Sequence, residues 1–326
     1  MSAQLNSEIG GNGAASRNWL GALLLQRGSP LMPRLVSYYR ALARRPRPWR
    51  RQLRRKLAVT LSGAALLLAM AGPIAPARAE PNAPEAIIQV VNGEVAIDVN
   101  GKCSLMEAIW NARSTNAGNM KADCTAGNSG GVDTVSLPNG GDFVLTTAHN
   151  EVYGPTGLPV ITSVVIIEGN GSTIRRAGEW FEDPQFRILA VDHNGALTLR
   201  NTTVSNGYAT ESILGDGLGG GILSYGTLAV EGSTITLNRA YSYVAGGGGI
   251  FADGPTTITN STISENRVSN NGAAEGGGIW IGQNGEATIT GSAILNNSVG
   301  GYFSAEGGGI FIGGQGPIIG RPISGN

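Results

Sequence analysis

Beyond residue 219 the apolar positions recur with two periods at once. Over four to six residues they alternate with polar ones, as in Thr256-Thr257-Ile258-Thr259 and Ala287-Thr288-Ile289-Thr290. Alternation over such short stretches, bounded by turn residues, predicts short β-strands. A longer period is superimposed. The string G-G-G-I occurs four times, with isoleucines at Ile222, Ile250, Ile279 and Ile310 and spacings of 28, 29 and 31 residues. A second string follows each: Ser233-Thr234-Ile235, Ser261-Thr262-Ile263, Ser292-Ala293-Ile294 and the weaker Arg321-Pro322-Ile323. Each unit closes on an asparagine: Asn238, Asn266, Asn297 and Asn326. Aliphatic residues also match between units at Val230, Ile258 and Ile318, and at Ile289 after two extra residues. Those extra residues are expected in a turn at residues 282–285, so that the strands resume in register.

A unit of this length holding two or three short strands predicts one coil of an all-β fold, a parallel β-helix. Stacked coils bond backbone to backbone, and the repeated apolar positions stack into interior columns. Ile222, Ile250, Ile279 and Ile310 form one; Ile235, Ile263, Ile294 and Ile323 form another. The asparagines are expected to stack at a corner, each amide bonding to the next. The glycine triplets suit tight turns with positive φ. A flexible glycine-rich linker would not keep aliphatic residues at fixed offsets.

A solenoid needs a cap over its first coil. Ser104-Leu105-Met106-Glu107 fits the S-x-x-E capping box, and Leu105, Ile109 and Ala112 share one face at helical spacing. A short N-terminal helical cap is therefore expected there. Glu107 then reads as a capping residue in preference to a catalytic one.

Composition narrows the alternatives. Fifty-one glycines disfavour a helical bundle, and their clustering excludes collagen. An apolar share of 41% with 14% charged residues is enough to build a core. The formal net charge is zero, but its parts differ. Residues 1–79 hold 13 Lys/Arg and one acidic residue, Glu8; residues 80–326 hold ten basic against 22 acidic residues. Nine of the basic residues fall within 40–56, directly before the 15-residue apolar run 57–71 and the A-x-A sequence Ala77-Arg78-Ala79. That is the layout of a secretory signal, and the run is short for a bilayer span of about 20 residues. The expected organisation is an export segment at 1–79, a cap with the first strands at 80–160, and β-helix repeats at 161–326. Met32 is an alternative start, and Arg54-Arg55 leaves the twin-arginine route open beside the general one. The mature chain is expected to be secreted or at the cell surface, without a transmembrane span. Its acidity argues against nucleic-acid binding. Cys103 and Cys124, the only cysteines, are expected to form a disulfide in an oxidising compartment.

Several stretches resemble known proteins. The G-G-G-I and S-x-I-x-x-N alternation resembles the repeats of polymorphic outer membrane proteins. Cys103-Ser104-Leu105-Met106-Glu107-Ala108 resembles the CSLREA element near the mature N-terminus of many secreted β-helix proteins, with Met106 where that element has arginine. Asp133-Thr134-Val135-Ser136-Leu137-Pro138 and Glu168-Gly169-Asn170-Gly171-Ser172-Thr173-Ile174 are similar to segments that follow it. The resemblance implies a secreted or surface right-handed parallel β-helix, a pectin-lyase-like solenoid, of mostly unassigned activity, and adhesion or polysaccharide contact is the role expected from it. Depolymerising enzymes of this fold supply the alternative, a polysaccharide lyase or glycoside hydrolase. A passenger or envelope structural segment lacking its anchor is the third reading.

The chemistry visible in the sequence is sparse. The repeat region contains no D-D pair, G-H-G or R-x-K string, so no catalytic residue is assigned. Ala-Glu-Gly-Gly-Gly-Ile occurs twice, placing Glu275 and Glu306 at matching offsets. Coils about 4.8 Å apart would stack these two carboxylates, and calcium is the one cofactor they suggest. Asp216 lies two residues further from its isoleucine and fits that column poorly. Asp192-His193 reads as a loop, and residues 215–220 lack the lysine and βαβ context of a phosphate-binding loop. Asn326 falls where each earlier unit closes. That position predicts an incomplete solenoid or one completed by a partner, with end-to-end self-association.

Overall fold

The computed structural model describes residues 86–113, 120–128, 131–178, 184–210, 216–302 and 304–313. The export segment expected at 1–79, and Ile318, Ile323 and Asn326 of the last unit, lie outside the described residues.

Every strand pair within the sheets is parallel, and the strands assemble into four sheets. Sheet 1 holds Ala86–Gln89, Asp133–Ser136, Val164–Glu168, Ala196–Arg200, Thr227–Glu231, Pro255–Thr259 and Glu286–Thr290 in that order. Sheet 2 runs from Asp142–Leu145 through Thr173–Arg176, Thr203–Ser205, Thr234–Thr236 and Thr262–Ser264 to Ala293–Leu295. Sheet 3 is built on the long strands Arg239–Gly246 and Arg267–Glu275, joined by Tyr208–Ala209, Asp216–Leu218, Ser298–Gly300 and Ser304–Glu306. Sheet 4 contains Leu189–Val191, Ile222–Ser224, Ile250–Ala252, Ile279–Ile281 and Ile310–Ile312. Order in space follows order in sequence, so the chain winds as a parallel β-solenoid of about five turns.

The interior columns are those the repeats predict. Ile222, Ile250, Ile279 and Ile310 are in register, as are Val204, Ile235, Ile263 and Ile294. Ile235 and Ile263 are fully buried. The polar corners are columns too. Asn238 Nδ2 donates to Asn266 Oδ1 and Asn266 Nδ2 to Asn297 Oδ1, each at 3.0 Å, while each Oδ1 also accepts a backbone amide of the preceding coil. The serines of the second string form a hydroxyl column: Ser233, Ser261 and Ser292 each accept an amide from the coil before, at 3.1 Å. Buried polar groups are affordable only when paired in this way.

The two extra residues of the third unit do lie at 282–285, between Ile279–Ile281 and Glu286–Thr290, and Ile258 pairs with Ile289 beyond them. The remaining extra residue, behind the spacing of 29, is a bulge where Arg239–Gly246 meets Arg267–Glu275. A bulge sets two residues against one, so pairing resumes beyond it with the offset increased by one residue. In the triplet 247–249, Gly247 has φ +61°, and a Cβ on Gly248 would lie 2.4 Å from the Gly277 carbonyl oxygen of the next coil. The first needs the left-handed region, and the second leaves no room for a side chain.

The first coil is covered by the helix Leu105–Ala112, which buries Leu105, Ile109 and Ala112. Its capping box is complete: Glu107 N–H donates to Ser104 Oγ, and Ser104 N–H to Glu107 Oε2 at 3.0 Å. Glu107 is 2% exposed, and its other oxygen accepts from the Asp98 amide. Met106 is buried with the core. Cys103 and Cys124 are disulfide-bonded, with Cα atoms 4.6 Å apart, and tie the start of this helix to the loop beyond it. No described helix is long and apolar enough to cross a membrane.

Candidate functional site

In its middle strands sheet 4 is buried on both faces: every residue of Ile222–Ser224 and Ile250–Ala252 is buried. Its inward positions are the isoleucine column. Its outward positions form a second apolar column of Ala190, Leu223, Phe251, Trp280 and Phe311, in register from coil to coil. Phe251 packs edge-on against Trp280 with centroids 5.2 Å apart, and Trp280 against Phe311 at 6.0 Å. The row extends backwards through Tyr225, 6.0 Å from Phe251, to Tyr153, 5.1 Å from Tyr225. His193 lies flat on Tyr225 at 4.8 Å, its plane within 3°. Phe251 is 6% exposed, whereas Tyr153, Tyr225, Trp280 and Phe311 are half-buried and His193 is exposed.

Across the glycine turn the ends of the sheet 3 strands form the opposite wall. Leu218, Gly246, Glu275 and Glu306 are in register there. Trp280 leans into this wall: a Cβ built on Gly246 would fall 1.7 Å from its indole carbon Cε3. Glycine at 246 is what admits the ring. The Trp280 indole nitrogen, close to Gly313, is the one buried side-chain nitrogen or oxygen without a hydrogen-bond partner among the described residues.

The repeated Ala-Glu-Gly-Gly-Gly-Ile string thus brings Glu275 and Glu306 to adjacent coils, and Asp216 pairs with Val244 two positions away from their column. Partial burial, and then the charge of Glu306, hold Glu275 above the usual glutamate range. Two carboxylates fall short of the six to eight oxygens that calcium takes, and the described residues contain no cluster of three or more His, Cys, Asp and Glu suited to a metal.

The other end of the row carries titratable groups. Asp192 and His193 do lie in a turn, but the fold brings Tyr153 to them across 39 residues, and its hydroxyl donates to Asp192 Oδ1. That bond, joined by the amides of His193 and Asn194, holds the Asp192 carboxyl below its ordinary range. Burial first, and then Asp192, push Tyr153 up to about 12. Beneath them Arg187 is buried, donating to the backbone carbonyls of Tyr153 and Leu218, and burial lowers it to about 10.

A second, open and polar depression lies at the corner of sheets 1 and 2, about Asn139, Asn170 and Asn201. Asn170 and Asn201 adopt left-handed φ of 50° and 47° there, and Asn201 Nδ2 donates to Glu168 at 3.0 Å. These asparagines read as corner formers.

The aromatic row escaped the sequence reading, although its signal is present. The residue after each repeated isoleucine is Leu223, Phe251, Trp280 or Phe311, large and apolar in all four units. Tyr153 and Asp192 carry no such signal, since only the winding of the chain joins them.

No curated protein and no solved structure matches the chain. A family model does: residues 139–319 match the right-handed β-helix region. With the parallel coils, the interior columns and this match together, the chain belongs to the right-handed β-helix family.

Proposed function

We propose that the protein is a noncatalytic, secreted or cell-surface β-helix of the CSLREA type, with repeats of the polymorphic outer membrane protein kind, whose aromatic row contacts a polysaccharide. The observation that carries this reading is the row Tyr153–Tyr225–Phe251–Trp280–Phe311. A solenoid requires apolar columns on its inner face only. Ala190, Leu223 and Phe251 are covered within the chain, packed with Val160. Tyr153, Tyr225, Trp280 and Phe311 keep part of their surface open, and clustered open aromatic surface points to a contact. Coils about 4.8 Å apart repeat the rings at a spacing close to one sugar of an extended chain. Aromatic rings offer flat apolar faces to the C–H faces of sugars while hydroxyls stay wet. The disulfide and the export layout support a location outside the cytoplasm.

A degrading enzyme, the second reading, has the Tyr153–Asp192–His193 cluster in its favour. Two of its members run against acid–base work, since Asp192 keeps its charge and Tyr153 its proton near neutrality. Affinity electrophoresis of the purified protein through gels containing neutral, acidic or amino polysaccharides tests the proposal. Retardation by at least one polymer, without release of reducing ends or unsaturated sugars, is expected. Free migration in every gel, or depolymerisation abolished by Asp192→Asn, would contradict it.

A further inference from the structure

The contact surface has chemistry on only one of its walls. Glu275 and Glu306 stand in the column that Gly246 opens towards Trp280, on the coils that carry Trp280 and Phe311. Neither carboxylate makes an ion pair or a side-chain hydrogen bond with another described residue. Their closeness is unfavourable as it stands: partial burial first, and then the charge of Glu306, make Glu275 hold its proton more tightly than an ordinary glutamate. Two like charges one coil apart become favourable only when positive charge enters between or beside them. The rings opposite favour the same kind of ligand, because aromatic faces attract ammonium groups.

From this juxtaposition we propose that the corner selects a cationic amino-sugar polymer, its sugar faces on Trp280 and Phe311 and its ammonium groups on Glu275 and Glu306. This rests on the polysaccharide reading and narrows it. A polymer of free glucosamine units repeats one ammonium per sugar, as the corner repeats one carboxylate per coil over these two coils. An acidic polysaccharide would meet repulsion at the same place, and an N-acetylated one would offer no charge. An ammonium group pairs only with the charged form of Glu275, so affinity should fall as the buffer is made acid enough to protonate it.

The test is calorimetric titration of the full chain, in mildly acidic low-salt buffer, with hexa-glucosamine and with its fully N-acetylated counterpart. Hexa-glucosamine should bind at least tenfold more tightly, an advantage that added salt reduces. Glu275→Gln with Glu306→Gln should erase that advantage by about tenfold, the loss of charge-assisted hydrogen bonds, and leave the weaker binding of the acetylated hexamer unchanged. Trp280→Ala should weaken both. Equal affinity for the two hexamers, or indifference to the glutamine pair, overturns the amino-sugar inference while leaving polysaccharide contact standing. Binding of neutral or acidic polymers alone does the same. Calcium chloride that binds the wild type, spares the glutamine variant and blocks hexa-glucosamine would assign the carboxylates to a metal and also overturn it. A basic peptide binding as tightly as hexa-glucosamine would remove the sugar from the proposal. Binding of no polysaccharide at all would sink the broader reading with it.

Discussion

Beyond residue 200 sheets 2 and 4 are made of the same three-residue strands, at the same coil spacing, yet they treat their outer faces differently. In Thr262–Ser264 only the middle residue is buried; in Ile250–Ala252 all three are. Ile263 and Ile250 are equivalent interior residues, both without exposure. Their neighbours diverge: Thr262 and Ser264 face solvent, while Phe251 joins the aromatic row. Sheet 2 contains what stacking demands and nothing more. Sheet 4 carries an additional column that stacking does not demand, and the surplus marks where to look for function.

The sharpest way to break this comparison is to charge the two sides of sheet 2. Ile263→Asp buries a carboxylate among isoleucines and should cost several kcal/mol, on the order of 4. Thr262→Asp should cost under about 1 kcal/mol. Urea unfolding of both variants checks this, and equal losses would mean that inside and outside are misassigned. The disulfide comes next. Cys103→Ser with Cys124→Ser opens a loop of 21 residues and should lower stability by about 3 kcal/mol in the chain-entropy model, read by the same titration. Asn266→Ala follows. It strands the Asn238 amide, which Asn266 Oδ1 accepts, and the Ile235 carbonyl, to which its Nδ2 donates at 2.9 Å, for about 2 kcal/mol.

Why these columns were legible is plain from Ile263 and Asn266. Each sits at a fixed offset within its unit, and repetition multiplies a weak local signal into a strong one. The capping box at Ser104 and Glu107 was legible for a different reason, being complete within four residues. The wall opposite the aromatic row was half visible: the repeated string aligned Glu275 with Glu306, but nothing in it told that Trp280 would lean over Gly246. Tyr153 and Asp192 lie 39 residues apart in units without shared spacing, so their meeting follows from winding alone. The same holds for Leu237, which sits at φ 59° where the equivalent coils have Asn206, Glu265 and Asn296.

Leu237 and Glu275 supply the smaller effects. Leucine tolerates the left-handed region poorly, asparagine better. Leu237, 47% exposed, gives up little burial, so Leu237→Asn should raise stability by about 0.5–1 kcal/mol, seen as a higher urea midpoint. The effect of Glu306→Gln is smaller still. Because Glu275 holds its proton more tightly folded than unfolded, stability falls as pH rises from the ordinary glutamate value through the raised one. Removing the Glu306 charge should flatten that fall and add about 0.5 kcal/mol or less at neutral pH, given solvent screening. A steeper fall in the variant would reverse the assigned sign.

The central claim is that the inner columns hold the fold and the outer aromatic row holds the ligand. One variant separates them. Trp280→Ala, measured in parallel for its melting curve and for retardation in the polysaccharide gel that best retards the wild type, should keep a cooperative transition, lowered by the packing lost against Phe251 and Phe311, while losing most of the retardation. A variant that unfolds cooperatively like the parent and is retarded just as strongly would contradict the account.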